Sequence, residues 1–519
     1  MNRPSARQAV QVALVISATV LASVATLGGV ASADPDRCAA VAEARLADTT
    51  IVQTKVVQAT ATVPEYCQVD GYVTTPGDGA ISHNEVNFRV GLPTTTWNSD
   101  FYFQGVGGLA GVIGALDTGL QRGYASASTD TGHQGSSELG NPVMDGSWAL
   151  NNRPKIVDFG YRGVHVATVA AKAVVSEYYG RAPRRSIFNG CSNGGRQGLM
   201  EAQRYPDDYD GVISVAPAFK AIDTIKSWIW QAQAQLAEPG AWLSPAELGA
   251  LARASLQAND ARDGLVDGLV SDPARAHFEP GRLVATDALT PAQVRAALAI
   301  YSGHGQAVEG HPEGHEDGWL AYVTGAVAPV VGPDGDLAFP FSPAAPAGYT
   351  FANEFLRYFF FNDPTYNLTS FDFVRDADKL ETLRSTLDAT DPDLGAFRAR
   401  GGKMIMAHGW ADPALNAWGP IDYHARVADR MGADATSEFF RLFMAPGMFH
   451  CAGGPGPYSF DALTAMEGWL DTGVAPASMV AANPATGRTR PLCPYPTTAV
   501  YGGSGSIDVA ANFACEPGR

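Results

Sequence analysis

The stretch Ser186-Ile187-Phe188-Asn189-Gly190-Cys191-Ser192-Asn193-Gly194-Gly195 decides the fold. The apolar run Arg184–Phe188 reads as a strand, and Arg196 to Arg204 reads as a helix. Between them lies G-x-S-x-G. In a strand–turn–helix setting this pentapeptide puts its serine on a tight, strained turn that lifts the hydroxyl clear of the backbone. Glycines two before and two after are needed because a side chain there would strike the neighbouring strand or helix. The pentapeptide alone arises by chance in many chains of this length, so its surroundings must carry the argument.

Outward from that turn, short apolar runs alternate with helical ones. Residues 38–75 mix Val, Thr and Tyr in short alternating runs, as antiparallel strands do. Val86–Leu92, Asp100–Gln104, Gly123–Ser128 and Gly211–Pro217 read as further strands, and Gly163–Tyr179 as a helix with an Ala/Val face. The rhythm breaks near Asp223 and resumes at Lys403–Ala407, with a last strand at Phe439–Met444. These alternations predict an α/β fold, a mostly parallel sheet with helices on both faces. Its catalytic domain spans 34–223 and 396–519, and 224–395 forms a large inserted lid.

A serine hydroxyl needs a histidine to take its proton and an acid to orient that histidine. In this fold class the order is Ser, then acid, then His. Asp412 follows the strand Lys403–Ala407 within a few residues; the bland reading is a turn or helix-capping aspartate before Pro413. Asp422 is a rival but sits where a helix begins. Of the ten histidines only His424 and His450 follow Asp412. His424 lies in the helical run Ile421–Met431 and reads as a packing or surface residue. His450 lies in a loop after the last strand. Ser192, Asp412 and His450 are therefore the candidate triad. The oxyanion donors expected are the backbone N–H groups of Asn193 and of Gly108, in the glycine turn Gly105–Gly108.

Six cysteines allow fifteen pairings. Cys38 and Cys67 are neighbours near one end of the chain, and Cys493 and Cys515 near the other. That leaves Cys191, beside the serine, and Cys451, beside His450; the alternative is two unrelated thiols. A bridge there would close a loop of some 260 residues, on the order of 4–5 kcal/mol in the loop-entropy account. A second constellation is Asn259 to Leu269, where Asp260, Asp263 and Asp267 lie on a glycine-bent loop. Hard oxygen donors at that spacing suit Ca²⁺, although the pattern is not an EF-hand. The bland reading is a solvated acidic turn.

The bulk numbers narrow the function. The chain has 519 residues, 46% hydrophobic and 17% charged, with a net charge of −17. That balance describes a folded globular protein and argues against nucleic acid or anionic lipid as a partner. Arg3 and Arg7 precede an apolar stretch from Val10 to Val30 and then Ala31-Ser32-Ala33, the pattern of a signal peptide over residues 1–33. A membrane anchor is the alternative. Six cysteines fit a secreted or periplasmic chain, and no second segment is long and apolar enough to span a bilayer.

On these residues the chain resembles the bacterial and fungal tannase/feruloyl esterase family, which includes the mono(2-hydroxyethyl) terephthalate hydrolases. The resemblance rests on Gly190-Cys191-Ser192-Asn193-Gly194-Gly195, the Ser-Asp-His order, the two flanking cysteines, the Asp-Gly repeats at 260–268 and Thr129-Asp130-Thr131-Gly132-His133. It implies an α/β-hydrolase domain with an inserted lid, the triad Ser192, Asp412 and His450, and a Cys191–Cys451 disulfide. It also implies a structural Ca²⁺ held by Asp260, Asp263 and Asp267 and by the carbonyls of Leu265 and Leu269. Asn259 departs from the family, whose members often carry a cysteine there. The expected function is hydrolysis of small aromatic-acid esters by a secreted serine esterase. The alternatives are a serine peptidase and a calcium-dependent binding protein on an inactive scaffold. The aromatic cluster Phe355–Phe373 reads as an acyl pocket or as the lid's own core, and Arg357 within it as a possible partner for a substrate carboxylate.

Overall fold

The structure, a computed structural model, describes residues 35–138, 140–331, 337–340 and 342–517. The expected signal peptide, residues 1–33, lies outside them. Nine strands make one sheet: β1 (Thr49–Val57), β2 (Tyr66–Pro76), β3 (His83–Pro93), β4 (Phe101–Gln104), β5 (Ala125–Thr129), β6 (Ser186–Cys191), β7 (Gly211–Val215), β8 (Lys403–Gly409) and β9 (Phe440–Ala445). Their order is β1-β2-β3-β5-β4-β6-β7-β8-β9. The pairings among β1, β2, β3 and β5 are antiparallel, and every pairing from β5 to β9 is parallel.

Alternation along the parallel strands assigns their two faces. Phe188, Val212, Met404 and Met406 point into one layer of core. Their neighbours Ile187, Ile213, Ile405 and Ala407 point into the other, against Met466 and Trp469 of the helix Ala462–Thr472. Strands covered on both faces read as near-continuous apolar runs. The helix α1 (Gly163–Tyr179) buries Val164, Ala167, Ala171 and Val174, a stripe at three- and four-residue spacing, and ends at left-handed Gly180. The helix α2 (Asn193–Arg204) follows β6 directly.

One expectation fails at the edge. Residues 38–75 do not begin in strand: Pro35–Ala40 is helical and Val41–Glu43 continues as a 3-10 turn. Cys38 and Val41, three residues apart, are the buried side of that short helix, and Cys38 is bonded to Cys67 on β2. A helix this short offers too few residues for its period to show in sequence.

Among the described residues, no strand of the large sheet lies between Val215 and Lys403. This segment is mainly helical, with long helices at Ala221–Leu236, Pro245–Asn259 and Pro291–Ser302. One apolar cluster, including Leu248, Leu251, Val294 and Trp319, lies wholly within it. Another joins its Ile225, Trp228, Phe355 and Phe359 to Leu109, Trp148 and Phe159 of the sheet-forming part. The insertion is thereby packed over the carboxyl ends of the parallel strands.

Candidate active site

Ser192 occupies the turn between β6 and α2 with φ +63° and ψ −124°, a conformation rare for a residue with a side chain. Such strain costs of the order of 1–3 kcal/mol and persists where the surroundings over-determine it. Here the Ser192 N–H donates to the Val215 carbonyl at 3.0 Å, and its own carbonyl accepts from the Arg196 and Ala218 N–H groups, each at 3.0 Å. Gly190 is required, since a Cβ there would lie 2.5 Å from the Gly194 carbonyl carbon.

Asp412 lies three residues beyond β8 and its side chain is fully buried. Its Oδ1 accepts from the Ala414 and Leu415 N–H groups at 2.8 and 3.0 Å, and His450 Nδ1 donates to its Oδ2 at 2.9 Å. Burial pushes the Asp412 carboxyl upward. The attraction of His450, its hydrogen bond, His408 and the Leu415 N–H outweigh that and hold it below the usual carboxylate range. Asp412 therefore stays ionised at neutral pH. With Nδ1 donating, His450 has Nε2 free to act as a base.

Asp422 is exposed and pairs with Lys220 at 3.0 Å. His424 packs its ring 5.0 Å from that of Phe440. Neither lines the cavity that holds Ser192, whereas His450, bonded to Asp412, does. A residue that sequence reasoning missed is His408, four before Asp412, whose Nε2 lies 3.4 Å from Asp412 Oδ2. Burial lowers its pKa, so it is a neutral neighbour of the carboxylate.

Ser192, His450, Cys191, Cys451, Gly108 and Asn193 line one cavity of about 470 Å³. Its remaining wall is mostly apolar, with Phe159, Trp228, Tyr322, Phe351 and Phe355 contributing rings. The Tyr322 ring stands edge-on to His450, centroids 5.2 Å apart. The other two disulfides are Cys38–Cys67 and Cys493–Cys515, while Cys191–Cys451 spans Cα atoms 5.9 Å apart across 260 residues of chain. That bridge fastens the serine turn to the histidine loop. Converting both cysteines to Ala is expected to remove on the order of 5 kcal/mol of stability and to lower kcat more than it raises KM. Thermal unfolding and steady-state kinetics check this.

Gly108 has φ +57°, and a Cβ there would strike the Val143 carbonyl. Its loop is braced from both sides. His133 Nε2 bonds the Leu109 carbonyl at 2.8 Å, and its ring stacks on Trp148 with centroids 3.5 Å apart. Burial drops the His133 pKa to about 3, so the ring is neutral. Asn193 Nδ2 donates to the Val106 carbonyl at 3.0 Å, and its Oδ1 accepts from Arg196 Nε at 2.8 Å. Arg196 is buried and spends its remaining N–H groups on the carbonyls of Phe159, Gly160 and Leu387. The period of α2 hides this role, because these carbonyls come from two distant segments.

The acidic loop is a 3-10 turn, Asp260–Asp263, closed by left-handed Gly264. Asp260 Oδ1 accepts from the Asp267 and Gly268 N–H groups at 3.0 and 2.9 Å. Asp263 accepts from the N–H groups of Leu265 and Ser271, and Asp267 from that of Leu269. Asp267 Oδ2 also takes a buried 2.6 Å ion pair from Arg490. Of the aromatic cluster, Phe355 reaches the cavity, whereas Phe359, Phe360 and Phe371 are buried in the core between the insertion and the sheet-forming part. Arg357 is not among the cavity-lining residues, and its Nε donates to the Tyr366 carbonyl at 3.0 Å.

The family model for tannase and feruloyl esterase matches residues 67–516. The chain belongs to that family. It is 36% identical to an uncharacterized esterase of Xanthomonas campestris, over 87% of this chain and 84% of that one. It is 34% identical to the mono(2-hydroxyethyl) terephthalate hydrolase of Piscinibacter sakaiensis, over 88% and 85%. Identity to a probable feruloyl esterase of Arthroderma benhamiae is 32%, over 84% of each. The esterase also superimposes on the crystal structure of feruloyl esterase B from Aspergillus oryzae with a TM-score of 0.80 at 24% identity, covering 93% of this chain and all of that one. That likeness places the esterase in the α/β-hydrolase fold. Carboxylic-ester hydrolysis is thus its activity.

Proposed function

We propose that the esterase cleaves esters of aromatic carboxylic acids outside the cytoplasm. The observation that carries this is the apolar, ring-lined cavity that both Ser192 and His450 line. Relatives named as feruloyl esterases and a terephthalate-monoester hydrolase favour the same substrate class. Residues 224–395 act as a lid that supplies Trp228, Tyr322, Phe351 and Phe355 to the acyl site. Three disulfides suit an oxidising compartment. Among the described residues no helix is long and apolar enough to cross a membrane.

Ser192 Oγ attacks the ester carbonyl while His450 Nε2 takes its proton, and Asp412 stabilises the imidazolium. The N–H groups of Asn193 and Gly108 meet the oxyanion, held by Arg196, Val106 and His133. His450 returns the proton to the leaving alcohol, then activates water to release the acid. A panel of matched esters and amides, compared by kcat/KM, tests the reading. Benzoyl- and cinnamoyl-type esters are expected to exceed hexanoyl esters by at least about tenfold. Equal rates for aliphatic esters, or cleavage of the amides alone, would overturn it.

We also propose a structural Ca²⁺ at Asp260, Asp263 and Asp267 with the carbonyls of Leu265 and Leu269. The donors are hard oxygens, as Ca²⁺ prefers. The ion must compete with Arg490 for Asp267, and the three carboxylates would have to turn inward from their N–H partners. Binding is therefore expected to be modest. Chelation should lower Tm by a few degrees, about 1–2 kcal/mol, and unchanged Tm at all Ca²⁺ concentrations would count against the site.

A further inference from the structure

At the end of α2 opposite Ser192, three side chains from separate segments converge. His165 comes from the first turn of α1, Glu201 from the last turn of α2, and Asp208 from the loop before β7. One ligand atom from each lies within 4.8 Å of the others, and among the described residues this is the one such trio. Helix rise puts Glu201 about 13 Å along α2 from the serine turn, so the trio is not part of the ester site.

Glu201 is 1% exposed, and no N–H or hydroxyl donor reaches either of its carboxylate oxygens, which face the Asp208 carboxyl instead. A buried carboxylate left so costs several kcal/mol and calls for a cation or a proton. His165 Nδ1 sits 2.6 Å from Asp208 Oδ2, and its ring is stacked on Tyr205 with centroids 3.8 Å apart. His165 keeps about a third of its side chain exposed, which gives an entry path. The other charged group facing the trio is Lys172, whose ammonium is engaged with the Asp208 carbonyl. Tyr209 is engaged with Thr168. A proton shared between Glu201 and Asp208 would satisfy one Glu201 oxygen and leave the other bare. A divalent ion takes both oxygens at once, or one with water on the other.

We propose that His165, Glu201 and Asp208 form a binding site for a first-row divalent transition metal of the Zn²⁺ class, completed by water on the His165 side. One imidazole with two carboxylates favours such ions over Ca²⁺ or Mg²⁺. Ligands about 2.1 Å from the metal stand roughly 3.4 Å apart in a tetrahedral site, so the trio, with its atoms within 4.8 Å of one another, would draw in slightly around an ion. The imidazole then carries its proton on Nε2 and offers Nδ1 to the ion. The ion would tie α1, α2 and the β7 loop together and serve stability, not ester cleavage.

The test uses the full chain, stripped with a chelator, exchanged into buffer, mixed with a slight excess of Zn²⁺ and desalted. Metal content and Tm are compared for the wild type, Glu201→Gln and His165→Gln, and Co²⁺ absorption reports nitrogen and oxygen ligation. The wild type is expected to retain one Zn²⁺ per chain and gain about 2–5 °C in Tm. Either variant should retain less than about a tenth of that, with ester cleavage at saturating substrate unchanged. If Glu201→Gln fails to fold, His165→Gln alone decides. A folded wild type that retains no Zn²⁺ would overturn the proposal in favour of the shared proton. Equal Zn²⁺ in wild type and variants would overturn it too, placing the ion elsewhere.

Discussion

Replacing Ser192 with Ala is expected to lower kcat for a cinnamoyl or benzoyl ester by on the order of 10⁵–10⁶-fold, with KM changed little. The substitution removes the only hydroxyl that the β6–α2 turn presents to the cavity beside His450. It leaves the Asn193 and Gly108 donors and the apolar wall, so binding persists while the covalent route is lost. Residual rate enhancement should come from the oxyanion donors and positioning alone. Relief of the φ +63° strain is not expected, because Ala at position 192 would occupy the same backbone conformation. Tm within about 2 °C of the wild type, alongside the lost turnover, would separate chemistry from folding.

Replacing Asp412 with Asn should cost about 10⁴-fold in kcat. The amide can present its NH₂ to His450 Nδ1 and so stabilise the wrong tautomer, with the proton on Nε2 facing the serine. The geometry leaves little room for escape. Asp412 is fully buried, its Oδ1 is fixed by two backbone N–H groups, and His408 stands 3.4 Å from Oδ2. The substitution should also change acid stability. The folded-state pKa of Asp412 lies below its unfolded value, so its contribution is present above the ordinary carboxylate range and is lost as pH falls through the depressed value. The Tm gap between wild type and D412N is therefore expected to hold above the ordinary carboxylate range and to narrow progressively as pH falls below about 4. A gap that widens as pH falls below about 4 would contradict the ionised, histidine-paired Asp412.

Much of this site is legible in the chain because its parts follow local rules. The strand–turn–helix around Ser192 announces itself by apolar length and glycine spacing, and α1 has the bounds its alanine and valine periodicity predicts. Asp412 and His450 stand out by following strands in the order that acyl transfer requires, and the structure sets them 2.9 Å apart. What stays hidden depends on distant contacts. Arg196 looks like a surface residue of α2 until carbonyls from residues 159, 160 and 387 close around it. His133 braces the glycine turn through Leu109, 24 residues away, and Arg490 reaches Asp267 across 223 residues. The acidic loop's spacing shows in the sequence, but the partners its carboxylates take do not. Its carboxylates satisfy backbone N–H groups, whereas His165, Glu201 and Asp208, which no motif joins, converge.

The most direct measurement is peptide mass spectrometry after titration with diethyl p-nitrophenyl phosphate, followed in parallel with cleavage of an aromatic ester. One diethylphosphoryl group per chain is expected, carried by the peptide containing Ser192, with activity falling in proportion to labelling and protected by the aromatic acid product. Full ester cleavage with Ser192 unmodified, or activity abolished by a label on another residue, would contradict it.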